Sequence, residues 1–518
     1  MNTRQVKTAS EIFALAFLAL VQTRAQAAET PASEREKDRA SVGESEISNL
    51  EIPAISLVGM IPAEGRLGAW MHQFRERHPR YLAQSQRARS ARMLRRAAAD
   101  QFYSPVLTAS AGRTENPTEA PRTSFASSID ANSTYAGAGV EAPLFRGVYG
   151  GVGAYVTQDA TGLSEDDSAE VGVGASLRIP LLQDRSFALH EIELQQLGFK
   201  EQERFHAMQG ELLEISTDIV KQYAKWLFSV ADAQEVEKAL NRAEKLLEQS
   251  TERVRLKDLA QYQIYPARYE ATLRREQLEM ARQSIQTQAA DLAQSFGLAS
   301  VPELTEESSD TLLKWAYALA KLDTEALSAI SVTNASPVVL AARSAAEAAE
   351  AEVSWTAEQT RDALDLNVGA GWRSEEAADS GNEFGYTVSI LYKRNLDKSG
   401  DEARLASKES EAAALRADYE EILLKAQIAR EKALIEFRNS CGRLLIARSA
   451  AIAAAEALEA ENDRFALGEG SSRNVLDAQQ DLTSATRRHL AVAGEVIAGM
   501  AELHRVVGVM PDIGSGKE

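Results

Sequence analysis

The sequence predicts a mainly α-helical chain that also carries membrane β-strands, built as two tandem helix–strand–helix repeats with long helical hairpins. Three observations carry this prediction. The chain matches itself at fixed offsets, its helical stretches are too long for a globular domain to bury, and between them the hydrophobic period falls from that of a helix to that of a strand.

The self-match has anchors at both ends. His78-Pro79-Arg80-Tyr81-Leu82-Ala83 and Ser336-Pro337-Val338-Val339-Leu340-Ala341 each open a helical stretch, at an offset of 258 residues. Asp291-Leu292 to Phe296-Gly297 matches Glu502-Leu503 to Val507-Gly508 at an offset of 211, as do Arg253, Leu256, Ile264 and Ala267 with Arg464, Leu467, Val475 and Ala478. The first copy is therefore 47 residues longer, and the pairing of Pro180-Leu181 with Asn395-Leu396 places about 43 of these in the strand region.

Taken in order, residues 1–27 read as a secretory signal peptide. Arg4 and Lys7 precede an apolar core from Ile12 to Val21, and Ala25-Gln26-Ala27 supplies the small residues of a cleavage site. The core is too short for a membrane-spanning helix, which needs about 20 residues. Residues 28–67 read as a flexible N-terminal segment. The first repeat, 68–297, comprises helix 68–103, strand region 104–185, long helix 186–256 and return helix 262–297. An inter-repeat segment follows at 298–336. The second repeat, 337–508, comprises helix 337–362, strands within 364–392, long helix 401–467 and return helix 474–508, with a tail at 509–518. Each long helix would span roughly 100 Å at ~1.5 Å per residue, a length characteristic of coiled coils.

The strand regions alternate. Ala169, Val171, Val173, Ala175, Leu177 and Ile179 interleave with Glu170, Gly172, Gly174, Ser176 and Arg178. Leu364 to Trp372 and Phe384 to Tyr392 follow the same rule, with Leu391 out of phase. Segments of about ten residues, apolar on one face and small or polar on the other, suit a lipid-facing barrel; an antiparallel sheet packed on a soluble core is the alternative. The acidic stretches Gly162–Ser168 and Ser374–Asn382 suit hairpin tips in water. An extra hairpin at about 115–160 would give four strands in the first copy and two in the second; an enlarged loop would leave two in each. Either number is too few to close a membrane barrel alone, since the smallest use about eight strands. Other copies of the chain must complete the ring, and the long helices would prolong it as a tube.

Composition narrows the chemistry. A net charge of −19 argues against a nucleic-acid binder. The lone Cys441 excludes an internal disulfide and a cysteine-rich zinc site, and it reads as a small packing residue. The six histidines fall at no metal-ligand spacing. With no nucleophile elbow, P-loop or dinucleotide fingerprint, the sequence points to neither an enzyme nor a cofactor site. Trp70, Trp226, Trp315 and Trp355 read as packing residues, whereas Trp372, Tyr386 and Tyr392 are candidates for an interfacial aromatic belt.

Arg464-Phe465-Ala466-Leu467-Gly468-Glu469-Gly470-Ser471-Ser472, followed by Asn474-Val475-Leu476-Asp477-Ala478-Gln479-Gln480-Asp481-Leu482, resembles the helical-hairpin tip of TolC-like outer-membrane efflux proteins. Leu503–Gly508, Ser336-Pro337-Val338 and Pro180-Leu181-Leu182 are similar as well, so the resemblance covers about residues 68–300 and 337–510. It implies a homotrimer with a shared outer-membrane β-barrel and a helical tunnel through the periplasm. Implied partners are outer-membrane lipid, a periplasmic adaptor (membrane fusion) protein and an inner-membrane transporter of the RND or ABC type. The function implied is a passive exit duct of a tripartite efflux pump or type I secretion system in a Gram-negative bacterium; a periplasmic coiled-coil adaptor or structural protein without a barrel is the rival. Carried over by position, Leu467, Gly468, Gly470 and Ser471 form one adaptor-contact tip, with Leu256, Lys257 and Asp258 in the other. Asp477 becomes the candidate for the periplasmic constriction, with Asn474 beside it where the family usually has Asp; Lys257 stands where Gly is common. Without the resemblance, Asp477 would read as a complement to the positive start of its helix.

Overall fold

The computed structural model describes residues 77–113, 133–145, 147–159, 168–257, 260–298, 309–322, 332–375, 383–467 and 469–508. The expected signal peptide, the 28–67 segment, Trp70, the hairpin-tip residues 162–167 and the 509–518 tail lie outside them. The chain divides into two units. One contains Met1–Ile52, Ala91–Glu201 and Ala345–Leu415; the other contains Pro53–Ser90, Gln202–Ser344 and Arg416–Glu518.

The described elements are α1 (Pro79–Phe102), β1 (Val106–Arg113), β2 (Ser133–Phe145), β3 (Val148–Asp159), β4 (Ser168–Pro180), α2 (Ala188–Arg255), α3 (Ile264–Ser295), α4 (Ser309–Ala320), α5 (Val332–Ala335), α6 (Pro337–Gln359), β5 (Ala363–Glu375), β6 (Glu383–Lys393), α7 (Ser399–Ala466) and α8 (Ser472–Val507). Of the helix expected over 68–103, residues 68–76 lie outside the described residues; His78 is not helical, and α1 starts at Pro79. Proline disfavours helical backbone in the residue before it and fits the first helical position itself. Both α2 and α7 are 68 residues long.

In the first unit the six strands form one antiparallel sheet in the order β1-β2-β3-β4-β5-β6. Among the described residues four strands precede α2 and two follow α6. β2 and β3 pair as a hairpin over 133–159, and residues 114–132 of the expected extra hairpin lie outside the described residues. The strands are longer than the alternation alone indicated. Ser168 already belongs to β4 and Glu375 still belongs to β5.

A knuckle links β4 to α2. After Pro180 the chain takes left-handed backbone at Asp184, Ser186 and Phe187, with φ near +60°. The Asp184 carboxylate holds this turn by accepting the Leu189 N–H at 3.0 Å and the Tyr149 hydroxyl at 2.8 Å. The first bond satisfies one of the orphan N–H groups at the start of α2. The second ties the knuckle to β3. Buried Phe187 and His190 pack beside Phe102, whose ring stacks on the imidazole at 3.6 Å. Gly147, at φ +86°, closes the β2–β3 turn against Ser186, where a Cβ would lie 2.6 Å from the Ser186 nitrogen. Only glycine meets both demands.

The core of the second unit is helical. Ile215, Ile219, Tyr223 and Leu227 of α2, Leu292 of α3, Leu312 and Leu319 of α4, Phe437 and Leu444 of α7, and Val496, Ile497 and Met500 of α8 form one buried cluster. Trp226 and Trp315 belong to it, as packing residues. Charged pairs add direction at its margins. Arg487 makes a two-point contact with Asp232, one arm at 2.9 Å, and Arg242 bonds Glu235 at 2.8 Å. Glu502 accepts from Arg505 and, at 2.6 Å, from Lys221. These hydrogen bonds, Arg505 first, hold its carboxyl down at about 2 against an ordinary 4.5. A carboxylate depressed in this way stabilises the fold above its ordinary value and loses that contribution as pH falls through about 2. Glu502→Gln should therefore lower stability by about 1–2 kcal/mol at neutral pH, after allowance for solvent screening. Thermal melts should show the gap to the parent protein closing between pH 4.5 and about 2.

Candidate membrane face and hairpin tips

The strand registers bring the apolar positions of all six strands onto one face. Val173 lies opposite Trp372, Ala175 opposite Ala370, Leu177 opposite Val368 and Ile179 opposite Leu366. Leu366, Val368, Ala370 and Trp372 in turn oppose Ile390, Val388, Tyr386 and Phe384. Towards the other edge the face continues through Val152 and Ala154, then Val140 and Ala138, then Leu107 and Ala109. Directly paired residues share a face, so no strand is out of phase.

This apolar face is the more exposed one. In the inner strands β3 and β4, Val156 and Leu177 on this face are 38% and 40% exposed, whereas Thr157 on the opposite face is 8% exposed. Val140 of β2 is a buried exception on the apolar face, and the edge strand β6 is open on both faces. A sheet of a soluble protein does the reverse and buries its apolar side. The opposite face carries Gly137, Gly139, Gly151, Gly153, Gly172, Gly174, Gly369 and Gly371. On it the Arg178 guanidinium lies over the Tyr149 ring and within 4.0 Å of Glu141 and Asp365. Leu391, out of phase in the sequence, falls on this polar face opposite Asp365.

Aromatic side chains mark both ends of the apolar band. Trp372 and Phe384 pack with ring centroids 5.1 Å apart at one end of the β5–β6 hairpin, with Tyr386 next to Phe384 on the same face. Tyr392 stands at the other end opposite Leu364, its hydroxyl donating to Asp362 at 2.9 Å. Lys398 donates to the same carboxylate at 2.8 Å, and these bonds hold the Asp362 carboxyl below its ordinary range. From Leu364 to Trp372 is about 26 Å along the strand at ~3.3 Å per residue. A strand tilt of ~40° reduces this to about 20 Å along a barrel axis, within the band about 25 Å tall of a membrane barrel.

The hairpin tips belong to the second unit. At the second tip Glu469 and Gly470 direct their N–H groups to the Arg464 carbonyl and close the end of α7, while Phe465 and Val475 are buried with Leu246 and Leu458. A Cβ on Gly470 would lie 3.0 Å from the Phe465 nitrogen, a tight approach that glycine avoids. Ser471 is the N-cap of α8. Its oxygen accepts the Asn474 N–H at 3.3 Å and its hydroxyl donates to Asn474 Oδ1 at 3.0 Å. Asn474 is thus held within the cap. Asp477, exposed, lies 3.9 Å from Arg473. Leu467 is 75% exposed and Leu256 is 57% exposed. Gly468 and Asp258 lie outside the described residues.

Neither a protein-family model nor a curated protein matches the chain. Solved structures do. VceC, an outer-membrane protein of Vibrio cholerae, is 18% identical, covering 86% of this chain and 96% of its own, with a TM-score of 0.59. The Neisseria gonorrhoeae MtrE outer-membrane channel in its open state is 15% identical, covering 87% and 91%, with a TM-score of 0.57. The Campylobacter jejuni CmeC outer-membrane channel is 10% identical, covering 86% and 85%, with a TM-score of 0.56. The chain has the fold of TolC-like outer-membrane channel proteins.

Within this channel fold the sequence missed two contacts that shape the tips. Arg253 of α2 donates to the Ala466 carbonyl at 3.1 Å and lies over the Phe465 ring, so the end of one hairpin caps the other. Arg473 stands beside Asp477 and offsets its charge. The i,i+4 spacing of Arg473 and Asp477 could have revealed the second contact; nothing local could have revealed the first. Lys257, flagged for standing where the family commonly has glycine, adopts left-handed backbone at φ 65°. A side chain strains that conformation. Lys257→Gly is accordingly expected to raise stability by about 1 kcal/mol, read as a shift in the thermal midpoint of the purified protein.

Proposed function

We propose that the protein is a passive exit duct in the outer membrane of a Gram-negative bacterium. In this reading three copies pool their sheets into one barrel, and the long helical hairpins carry the duct through the periplasm. The hairpin tips dock to a periplasmic adaptor that joins an inner-membrane transporter of the RND or ABC type, in an efflux pump or a type I secretion system. The reading rests on one observation above others: the continuous apolar face of the sheet is the exposed one, backed by a glycine-rich polar face. In lipid such a sheet must close on itself, because unpaired backbone at its edges cannot be hydrated. Trp372, Tyr386 and Tyr392 would then anchor the barrel at the two membrane interfaces.

No group in this reading performs chemistry; the duct supplies a water-filled path and a narrow periplasmic end. Asp477 is the charge assigned to that end. Leu467, Gly470 and Ser471 with Leu256 and Lys257 form the adaptor contact, together with Gly468 and Asp258. An adaptor or structural protein without a barrel would leave the exposed apolar face unexplained. Reconstitution in planar bilayers tests the proposal. The protein should form cation-preferring channels, and Asp477→Ala should lower that preference about two-fold, less than a lone acidic ring would because Arg473 is near. Absence of any conductance would defeat the duct; unchanged selectivity would remove Asp477 from the path.

A further inference from the structure

The β2–β3 hairpin is the feature that the duct reading leaves unused. It is fully registered between β1 and β4, with strands of 13 and 12 residues against 13 in β4 and β5. Its apolar residues Ala138, Val140, Val152 and Ala154 share the apolar face of the sheet with Val173 and Trp372. Its turn is fastened to the β4–α2 knuckle through Gly147 on Ser186 and through the Tyr149 hydroxyl on Asp184. These are properties of a wall strand pair and not of a loop folded over a pore.

We infer that the barrel contains 18 strands, six from each of three copies, and that its lumen passes cargo as wide as a pair of packed helices. This rests on the ring of three copies proposed above. The free edges are β1 and β6, and every neighbouring pair in the sheet is antiparallel. With an even number of strands per copy, β6 of one copy meets β1 of the next in the same antiparallel sense, and the ring closes without a parallel joint. Strands ~4.8 Å apart and tilted ~40° give a wall about 36 Å across for 18 strands and about 24 Å for 12. Allowing ~5 Å per wall for inward side chains leaves about 26 Å and about 14 Å. A single helix with its side chains is ~10–12 Å wide, so the wider lumen takes two side by side and the narrower takes one. The hairpin thus sets the bore of the barrel, and the narrow periplasmic end sets a separate limit upstream of it.

Single-particle imaging of the reconstituted full chain tests this directly. Three copies closing an 18-strand wall is the expected result. A three-copy ring of 12 strands with residues 133–159 outside the wall overturns the inference and leaves the duct intact; the absence of any ring defeats the duct itself. A second measurement uses Ser389→Cys, on the polar face opposite Asn367, in a Cys441→Ser background. A maleimide probe of about 20 Å diameter should label it in the full chain, at a rate at least ten-fold above that in a variant lacking residues 133–159. Exclusion of the probe from the full chain overturns the wide lumen, and equal labelling of both overturns the role of the hairpin.

Discussion

Val388→Arg should abolish most barrel assembly, whereas Thr387→Arg, one residue away, should assemble nearly as the parent does. Val388 sits opposite Val368, midway between the Trp372–Phe384 and Leu364–Tyr392 pairs, at the centre of the apolar band. A guanidinium on the lipid face at that depth costs about 2–4 kcal/mol. If the copies form a ring, each bears the substitution and the penalty is multiplied by their number. Thr387 pairs with Gly369 on the opposite face, where a charge would meet the water-filled lumen of the proposed duct. The amount of folded protein recovered in outer-membrane fractions after a urea wash measures the difference. Equal loss in both variants would mean that the exposed apolar face does not contact lipid. The rival reading, a protein without a barrel, predicts near-neutral behaviour for both, since both positions are exposed in the single chain.

Arg487→Ala is expected to cost about 2 kcal/mol and to loosen the second hairpin from the first. Arg487 of α8 holds Asp232 of α2 by two hydrogen bonds, and the Asp232 side chain is only 12% exposed. Removing the guanidinium leaves that carboxylate enclosed without a counter-charge. Complete burial would make the loss about 3–5 kcal/mol, but the Arg487 side chain is 47% exposed, so water recovers part of it. The double variant Asp232→Ala/Arg487→Ala should be less impaired than Arg487→Ala, because the stranded charge is gone. Helical circular dichroism during heating measures these differences, and strict additivity would show that the pair is not coupled. Because α2 and α8 belong to different hairpins of the proposed duct, Arg487→Ala should also raise single-channel conductance.

Local patterns in the chain determined a good deal. Apolar residues at helical spacing over some seventy positions specify α2 and α7 without reference to a partner, because that period and a shortage of breakers act within a few residues of each site. Strict alternation at 169–179 and 364–372 likewise placed β4 and β5, whereas the length excess of the first copy left a further hairpin and an enlarged loop both open. Glycine at 470 marked the second tip for the same reason, since a reversal is local chemistry; Ser471 was placed there by the resemblance alone, and its N-cap role is seen in the structure. Tertiary structure decided the rest. Alternation shows that a strand has two unlike faces, but only the registers of six strands show that the apolar sides join into one surface, and only burial shows that this surface is the exposed one. The Arg253 cap on Ala466, the Arg487–Asp232 pair and the Tyr149–Asp184 bond each join residues far apart in the chain or held by an unusual turn. Such contacts are chosen by how helices and strands are brought together, and no window along the sequence contains both partners in recognisable spacing.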